Sequence, residues 1–333
     1  MSKPKTTSRR VRFSVRDERV GLALIEMLTT GFPHYTRAEW EQRLRAGALL
    51  VNGHPGVPDQ VLGAGDTLEY DAADIPEPEV SLAAEILHED ADVLVINKPA
   101  GLPCHPAGRF YHHTLWALLT AKGIPNPEFV NRLDRETSGL VVVAKTPGAA
   151  RACRREFERR RVDKRYVVLV EGQFPATQRA CGRICRDPAS PVHRKCRFTP
   201  EPEPAPANSG HPSARPGPDW ADTEFRLLAQ HGPISVVEAI PHTGRMHQIR
   251  ATLEALGFPV VGDKLYGGSP ELFLRFCHNR LTAADRQALR LPRQALHAAG
   301  LRFRHPVSGQ FLTFRAELPA DMRDLIAALG GTP

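Results

Sequence analysis

NRLDRETSGLVVVAKT, running from Asn131 to Thr146, is the stretch that decides how this chain reads. Its apolar run, Leu140 to Ala144, predicts a buried strand. Thr137, Ser138 and Gly139 make a Gly-containing turn ahead of that strand. Asp134 sits just upstream, where a rigid strand can aim a loop residue into a cleft. A lone Asp beside a Gly turn usually caps or faces solvent. Its meaning therefore depends on its company.

That company is extensive. Ahead of the central stretch stands INKPAGLPCHP (Ile96 to Pro106), and behind it DKRYVVLVEG (Asp163 to Gly172). TGRMHQIR (Thr243 to Arg250), GDKLYG (Gly262 to Gly267) and ALHAAGLRFRHP (Ala295 to Pro306) follow in that order. Together these segments resemble the RluA family of pseudouridine synthases, whose centre is an (H/N)RLD-x-x-TSG-L motif. The resemblance covers roughly Ala84 to the C-terminus. The departures are mild: Asn131 where His is more common, Met246 where Thr is frequent, and Thr252 where His is frequent. None removes an Asp, Tyr or Arg that the chemistry needs.

With 333 residues, the chain has room for about two domains. Hydrophobic residues make up 41%, enough for a sizeable core. No apolar run approaches the roughly 18 residues of a membrane helix, and the basic N-terminus lacks the apolar stretch of a secretory signal. A cytoplasmic protein with reduced thiols is expected, since its six cysteines show no paired spacing. Lys and Arg number 44 against 37 Asp and Glu, a net charge of +7. Placement matters more than the total. Residues 151 to 165 hold eight basic side chains and three acidic ones, and the first twenty hold seven and two. Such blocks suit a polyanion, because phosphate contacts supply most non-specific nucleic-acid affinity.

Organisation follows from the same pattern. Residues 1–10 read as a basic disordered tail, and 11–71 as a small module. Within the module, Val20, Leu22, Leu24, Ile25 and Leu28 predict one helix and Arg37 to Ala46 a second. Short strands are expected at Leu49 to Asn52 and after the GD turn. This order, with GALLVNG, resembles the RNA-binding module named after small-subunit ribosomal protein S-four. Residues 72–83, acidic and Pro-rich, read as a linker to a catalytic domain over 84–333. Inside it, 197–218 reads as a flexible Pro-rich insertion, and Met246 to Leu256 as a helix closed by Gly257. The expected fold class is α+β: a mixed, mostly antiparallel sheet with flanking helices around a central cleft.

The resemblance implies an isomerisation. The bond from the ribose anomeric carbon to uracil nitrogen 1 breaks, the base rotates, and it rejoins through carbon 5. No group leaves, so neither a metal nor an organic cofactor is needed. Asp134 matches the family's essential residue, acting as nucleophile or as base at the ribose 2′ position, a choice the sequence leaves open. A carboxylate in a closed pocket tends to protonate. Arg250 matches the pocket arginine that opposes this, with Ile249 and His247 beside it. Tyr166 matches the tyrosine that stacks on the target uracil, and Arg132 an arginine beside the extracted nucleotide. The implied partner is structured ribosomal or transfer RNA bound by a monomeric chain, with no membrane.

Two other classes compete. A non-catalytic RNA-binding or assembly factor would have no need of Asp134, Tyr166 and Arg250 together. A glycosidase needs two carboxylates facing the bond, and only Glu136 lies near enough in sequence. Cys181, Cys185, His193 and Cys196 lack the C-x-x-C pair of a zinc set.

Overall fold

The computed structural model describes residues 10–15, 19–32, 35–72, 77–192, 194–202 and 217–331. The chain forms two compact units. The smaller holds the described residues up to Pro78 with Ala107–Tyr111, and the larger holds Glu79–Pro106 and everything from His112 on.

The small unit contains β1 (Arg10–Ser14), α1 (Leu24–Gly31), α2 (Arg37–Arg45), β2 (Leu49–Val51), β3 (His54–Pro55) and β4 (Thr67–Asp71). Its antiparallel sheet runs β1-β4-β2-β3. A capping box starts α2, with the Thr36 side chain accepting from the Glu39 backbone and the Glu39 side chain accepting in return. Leu24, Leu28, Trp40, Leu49 and Leu68 are fully buried and make the core. The first helix starts later than the sequence predicts, because Gly21 takes a positive φ of 85° and leaves Val20 43% exposed. Arg10, expected in the tail, opens β1, where it pairs with Asp71. The rest of the expected tail lies outside the described residues, as does 73–76 of the linker.

The large unit begins with β5 (Glu85–Glu89), β6 (Val93–Lys98), α3 (Leu115–Ala121), β7 (Glu128–Phe129), β8 (Ser138–Ala144) and α4 (Pro147–Glu158). It continues with β9 (Asp163–Glu171), β10 (Thr177–Arg186), β11 (Cys196–Pro200), β12 (Trp220–His231), β13 (Ile234–Pro241) and α5 (Gln248–Ala255). It closes with α6 (Pro270–Cys277), α7 (Ala283–Leu289), β14 (Leu296–Arg304), β15 (Phe311–Arg315) and α8 (Ala320–Ala328). Eleven strands form one sheet ordered β11-β10-β12-β13-β9-β14-β8-β6-β5, with β15 on β14 and β7 on β8. The expected mixed α+β class holds: every described pair is antiparallel except β14 with β8.

That parallel pair sits at the centre. All seven residues of β8 are buried, as the apolar run predicted. Gly139 explains the close approach: at φ 110°, a Cβ there would lie 2.3 Å from the Ala298 carbonyl oxygen. Ser138 Oγ bonds His297 Nδ1 at 2.9 Å, and His297 Nε2 reaches the Ala316 carbonyl, so the imidazole carries its proton on Nε2. The central turn and the HAAG segment are thereby tied together.

Two expectations need correction. Residues 197–200, assigned to the Pro-rich insertion, belong to β11, because Cys196–Pro200 continues the ladder with β10. Positions 203–216 of that insertion lie outside the described residues. The helix expected from Met246 begins only at Gln248, since His247 adopts the left-handed conformation (φ 56°) as its N-cap and Met246 is 57% exposed. No described helix is long and apolar enough to cross a membrane.

Candidate active site

Asp134 stands at the start of a tight turn in which its carbonyl oxygen accepts from Thr137 N at 3.1 Å. Asn131 braces the entry as a strand would, donating from Nδ2 to the Leu140 carbonyl and accepting Val142 N on Oδ1. Lys98, fully buried, braces the exit. Its Nζ donates to the carbonyls of Pro99, Leu102 and Arg135 at 2.9, 2.9 and 3.3 Å. Gly101 N donates to the same Arg135 carbonyl at 2.8 Å. The KPAG loop is thus bonded to the residue next to Asp134. Burial pulls the Lys98 pKa down to about 8.

The carboxylate itself is asymmetric. Oδ2 accepts from Arg250 Nη1 at 2.8 Å and from Gln294 Nε2 at 3.2 Å. Oδ1 accepts no hydrogen bond among the described residues, and His247 Nε2 lies 3.9 Å from it. About a third of the side chain (32%) remains exposed. Burial pushes the Asp134 pKa up, but the Arg250 charge, His247 and the two hydrogen bonds outweigh it and hold the carboxyl below its ordinary value. The acid is ionised.

Arg250 is placed by a residue the sequence reading left without a role. Asp263, in GDKLYG, is 0% exposed and grips Arg250 with two bonds, Nε to Oδ2 at 2.6 Å and Nη2 to Oδ1 at 2.9 Å. Its own Oδ1 also accepts the backbone N–H groups of Leu265 and Tyr266. Burial works against the Arg250 charge, yet Asp263 and then Asp134 raise its pKa. The loop can approach because Gly262 carries no side chain: at φ 74°, a Cβ would lie 2.0 Å from the Arg293 carbonyl oxygen. The order Asp263–Arg250–Asp134 leaves a guanidinium between two carboxylates, one sealed and one open.

His247 comes to the site as the left-handed residue ahead of α5, not from within the helix expected over Met246 to Leu256. Tyr266 Oη accepts from Cys196 N at 2.9 Å, and among the described residues the acceptor for its own proton is His247 Nδ1 at 3.0 Å. The imidazole therefore carries hydrogen on Nε2, the atom that faces Asp134. Burial and the adjoining Arg250 push its pKa down to about 4, so the ring is neutral near pH 7. Gln248 fixes the preceding loop by accepting Arg245 N and the Thr243 hydroxyl on Oε1.

Tyr166, on β9, is part-buried and packs against both core clusters that meet here. Burial, with Asp134 nearby, pushes its phenol up to about 12, so it stays neutral. Ile249 is 6% exposed and belongs to the core. Arg132 is exposed, and among the described residues it forms no ion pair. Glu136, the only second acid near the turn in sequence, is held by Lys264 at 2.8 Å and Arg135 at 3.0 Å.

Among the described residues, one group has metal-ligand spacing: Asp90, Asp92 and His305. His305 Nδ1 accepts the backbone N–H of Ser308, so its Nε2–H donates to Asp90 Oδ2 at 3.1 Å. That nitrogen offers no free electron pair, and the cluster ties two turns together. Of the cysteine set, His193 lies outside the described residues. The Cys181 and Cys185 thiols rest on Asp222 and Asp219.

Known proteins share this architecture. The family model described as RNA pseudouridylate synthase matches residues 92–255. The chain is 31% identical to ribosomal large subunit pseudouridine synthase D of Neisseria meningitidis serogroup B, over 97% of this chain and 83% of that one. It is 32% identical to the protein of the same name from Nitrosomonas europaea, over 97% and 89%. Among solved structures, human RNA pseudouridylate synthase domain containing 1 superposes with TM-score 0.53 at 26% identity, covering 78% of this chain and 99% of that one. Human domain containing 4 gives TM-score 0.55 at 24% identity, over 74% and 92%, a likeness of fold.

Proposed function

Because the chain belongs to the RluA family of RNA pseudouridine synthases, isomerases that act on RNA, we propose that its substrate is large-subunit ribosomal RNA and that Asp134 is its catalytic residue. The substrate follows the names of the relatives matched over nearly the whole chain. The catalytic role rests on one observation: Asp134 keeps Oδ2 in two hydrogen bonds and leaves Oδ1 free of any among the described residues.

The chemistry asks for an ionised oxygen at the sugar. Oδ1 either attacks the anomeric carbon as nitrogen 1 departs or removes the proton at carbon 2′; both routes release the base, which turns and bonds through carbon 5. Carbon 5 then loses its proton and nitrogen 1 carries one, so no atom is lost. A deuterium at carbon 2′ separates the routes, because only the second breaks that bond. Arg250 keeps the carboxylate charged without blocking it. Neutral His247, with hydrogen on Nε2, donates near the reacting atoms and adds no competing charge. Tyr166 offers a flat face to the loose uracil. Ile249 backs Arg250 from the core. Arg132, exposed at the turn, takes the RNA beside the extracted nucleotide.

In this reading the small unit is an RNA-binding module resembling that of ribosomal protein S-four, the chain works as a monomer in the cytoplasm, and residues 84–333 carry the chemistry. The test is Asp134→Asn. Pseudouridine mapped in large-subunit RNA with the wild-type chain should vanish with the variant, while RNA affinity stays within a few-fold. Turnover by the variant removes Asp134 from the mechanism, and pseudouridine appearing only in other RNA removes the proposed substrate.

A further inference from the structure

The basic block between Arg151 and Arg165 is not uniform. Arg154, Arg161 and Arg165 are bound by Glu128, Glu156 and Glu238. Lys164 is different. It lies on the same face of β9 as Tyr166, two residues away, because side chains alternate along a strand. Its Nζ donates to the Thr243 carbonyl at 2.7 Å, in the loop that leads to His247. Arg245 in the same loop donates from Nε to the Trp220 carbonyl at 3.0 Å. Among the described residues, neither cation meets a carboxylate, and Arg160 joins them without one.

Such a cluster is unfavourable on its own. Burial and the like charges of Arg245 and Arg160 pull Lys164 down to about 8, and burial and Arg160 lower Arg245 as well. The acid that Arg245 feels, Asp219, is already held by two bonds from Arg183 at 2.9 and 3.0 Å. Gly244 borders Lys164 directly: a Cβ there would lie 3.9 Å from Nζ. Among the described residues, Lys164 and Arg245 thus have donors on backbone carbonyls and no carboxylate in an ion pair with them, and the charge of Arg160 is felt at both.

We infer that Lys164, Arg245 and Arg160 form a phosphate-binding site for the RNA backbone next to the extracted uridine. The placement supports this. Lys164 precedes Tyr166 by two residues and Arg245 precedes His247 by two, so two separate segments each carry a cation two residues from a group of the site. A phosphate there supplies the missing negative charge and fixes the strand on one side of the nucleotide that Tyr166 and Asp134 act on. The inference rests on the proposed role of Asp134 and Tyr166 for its location, but not for its salt titration.

The full-length chain is titrated with a labelled 20-nucleotide oligouridylate from 50 to 300 mM KCl, a probe that needs no knowledge of the natural target. Arg160→Gln, Lys164→Gln and Arg245→Gln are each compared with Arg226→Gln, an exposed arginine bound to Glu224. Each of the first three should weaken binding about tenfold at low salt and flatten the slope of log affinity against log salt by about 0.7. Arg226→Gln should change neither. Arg160 makes no side-chain bond among the described residues, so its variant remains informative if the buried positions fail to fold. In an RNA carrying the mapped uridine, a neutral methylphosphonate at one flanking linkage should weaken wild type about tenfold and the Lys164→Gln/Arg245→Gln variant hardly at all. Wild-type slopes in all three variants, or equal losses from the neutral linkage in both proteins, overturn the site. Absence of pseudouridine from large-subunit RNA would instead overturn the proposed substrate and leave the slopes as they are.

Discussion

Replacing Arg250 by Gln and Asp263 by Asn together isolates what the guanidinium does for Asp134. The double change avoids leaving Asp263 as an uncompensated buried charge, which alone destabilises strongly. With N···O at 2.8 Å and charge centres about 4 Å apart, an effective dielectric near 20 gives about 4 kcal/mol. The carboxylate is 32% exposed, so solvent screening trims this to about 2–3 kcal/mol, roughly a 30- to 150-fold change in the ionisation equilibrium. The sign is set by what remains. Asp134 is held below its ordinary pKa by Arg250 against burial, so without the cation burial pushes the pKa up. Activity that needs the ionised acid is then lost as pH falls through the raised value. Single-turnover pseudouridine formation between pH 5 and 8.5 should be free of an acid limb from Asp134 in wild type and should show one in the double variant. A variant profile of wild-type shape, merely scaled down, would mean that Arg250 positions the acid without holding its charge.

Asp263→Asn alone should cost about 3–5 kcal/mol in urea unfolding at pH 7. Because Asp263 is held below its ordinary pKa, the stability it gives is present above about pH 3.9 and lost in stronger acid, and the variant should lack that part of the acid dependence. Gly139→Ala, which sets a methyl 2.3 Å from the Ala298 carbonyl oxygen, should part β8 from β14 and lower the melting temperature markedly. Lys98→Met should slow turnover by on the order of tenfold to a hundredfold, measured by single-turnover rates with RNA affinity unchanged, because it frees the turn without touching the RNA. Deleting residues 1–71 should weaken RNA binding and flatten its salt dependence; an unchanged slope would leave the small unit without an RNA role.

Much of this site is legible in one dimension, but only where a motif carries it. The buried strand behind Asp134 follows from the five-residue apolar run, and the pairing of Arg250 with Asp134 from matching segments more than a hundred residues apart. Asp263 was not legible as a partner, because nothing local distinguishes a turn acid that accepts two backbone N–H groups from one that also grips an arginine thirteen residues earlier. Lys98 reads as an ordinary loop cation until the fold removes its water and gives it three carbonyls. His247 lies outside the helix expected to begin at Met246: the Arg245 N–H on Gln248 Oε1 and the Tyr266 bond to His247 Nδ1 hold the left-handed turn that a helix would have overwritten. Gln294 carried no signal at all, yet it bonds both Asp134 and Thr137.

The same bonds bear on why this arrangement suits rearrangement over hydrolysis. Breaking a glycosidic bond with water takes one carboxyl to assist the leaving group and another to direct the water. Three acids belong to the network here. Asp263 is sealed with both oxygens on Arg250, and Glu136 has one oxygen on Lys264 and the other on Arg135. Among the described residues, only Asp134 of the three keeps an oxygen without a hydrogen bond. Its neighbours are a permanently charged guanidinium, a neutral imidazole and a phenol whose pKa is pushed up to about 12, none poised to take a proton from water near pH 7. On the proposed mechanism, a ribose opened at such a site has no second carboxylate to activate water, so the nucleophile within reach is the detached uracil itself. The single free carboxylate thus favours return of the base over its loss.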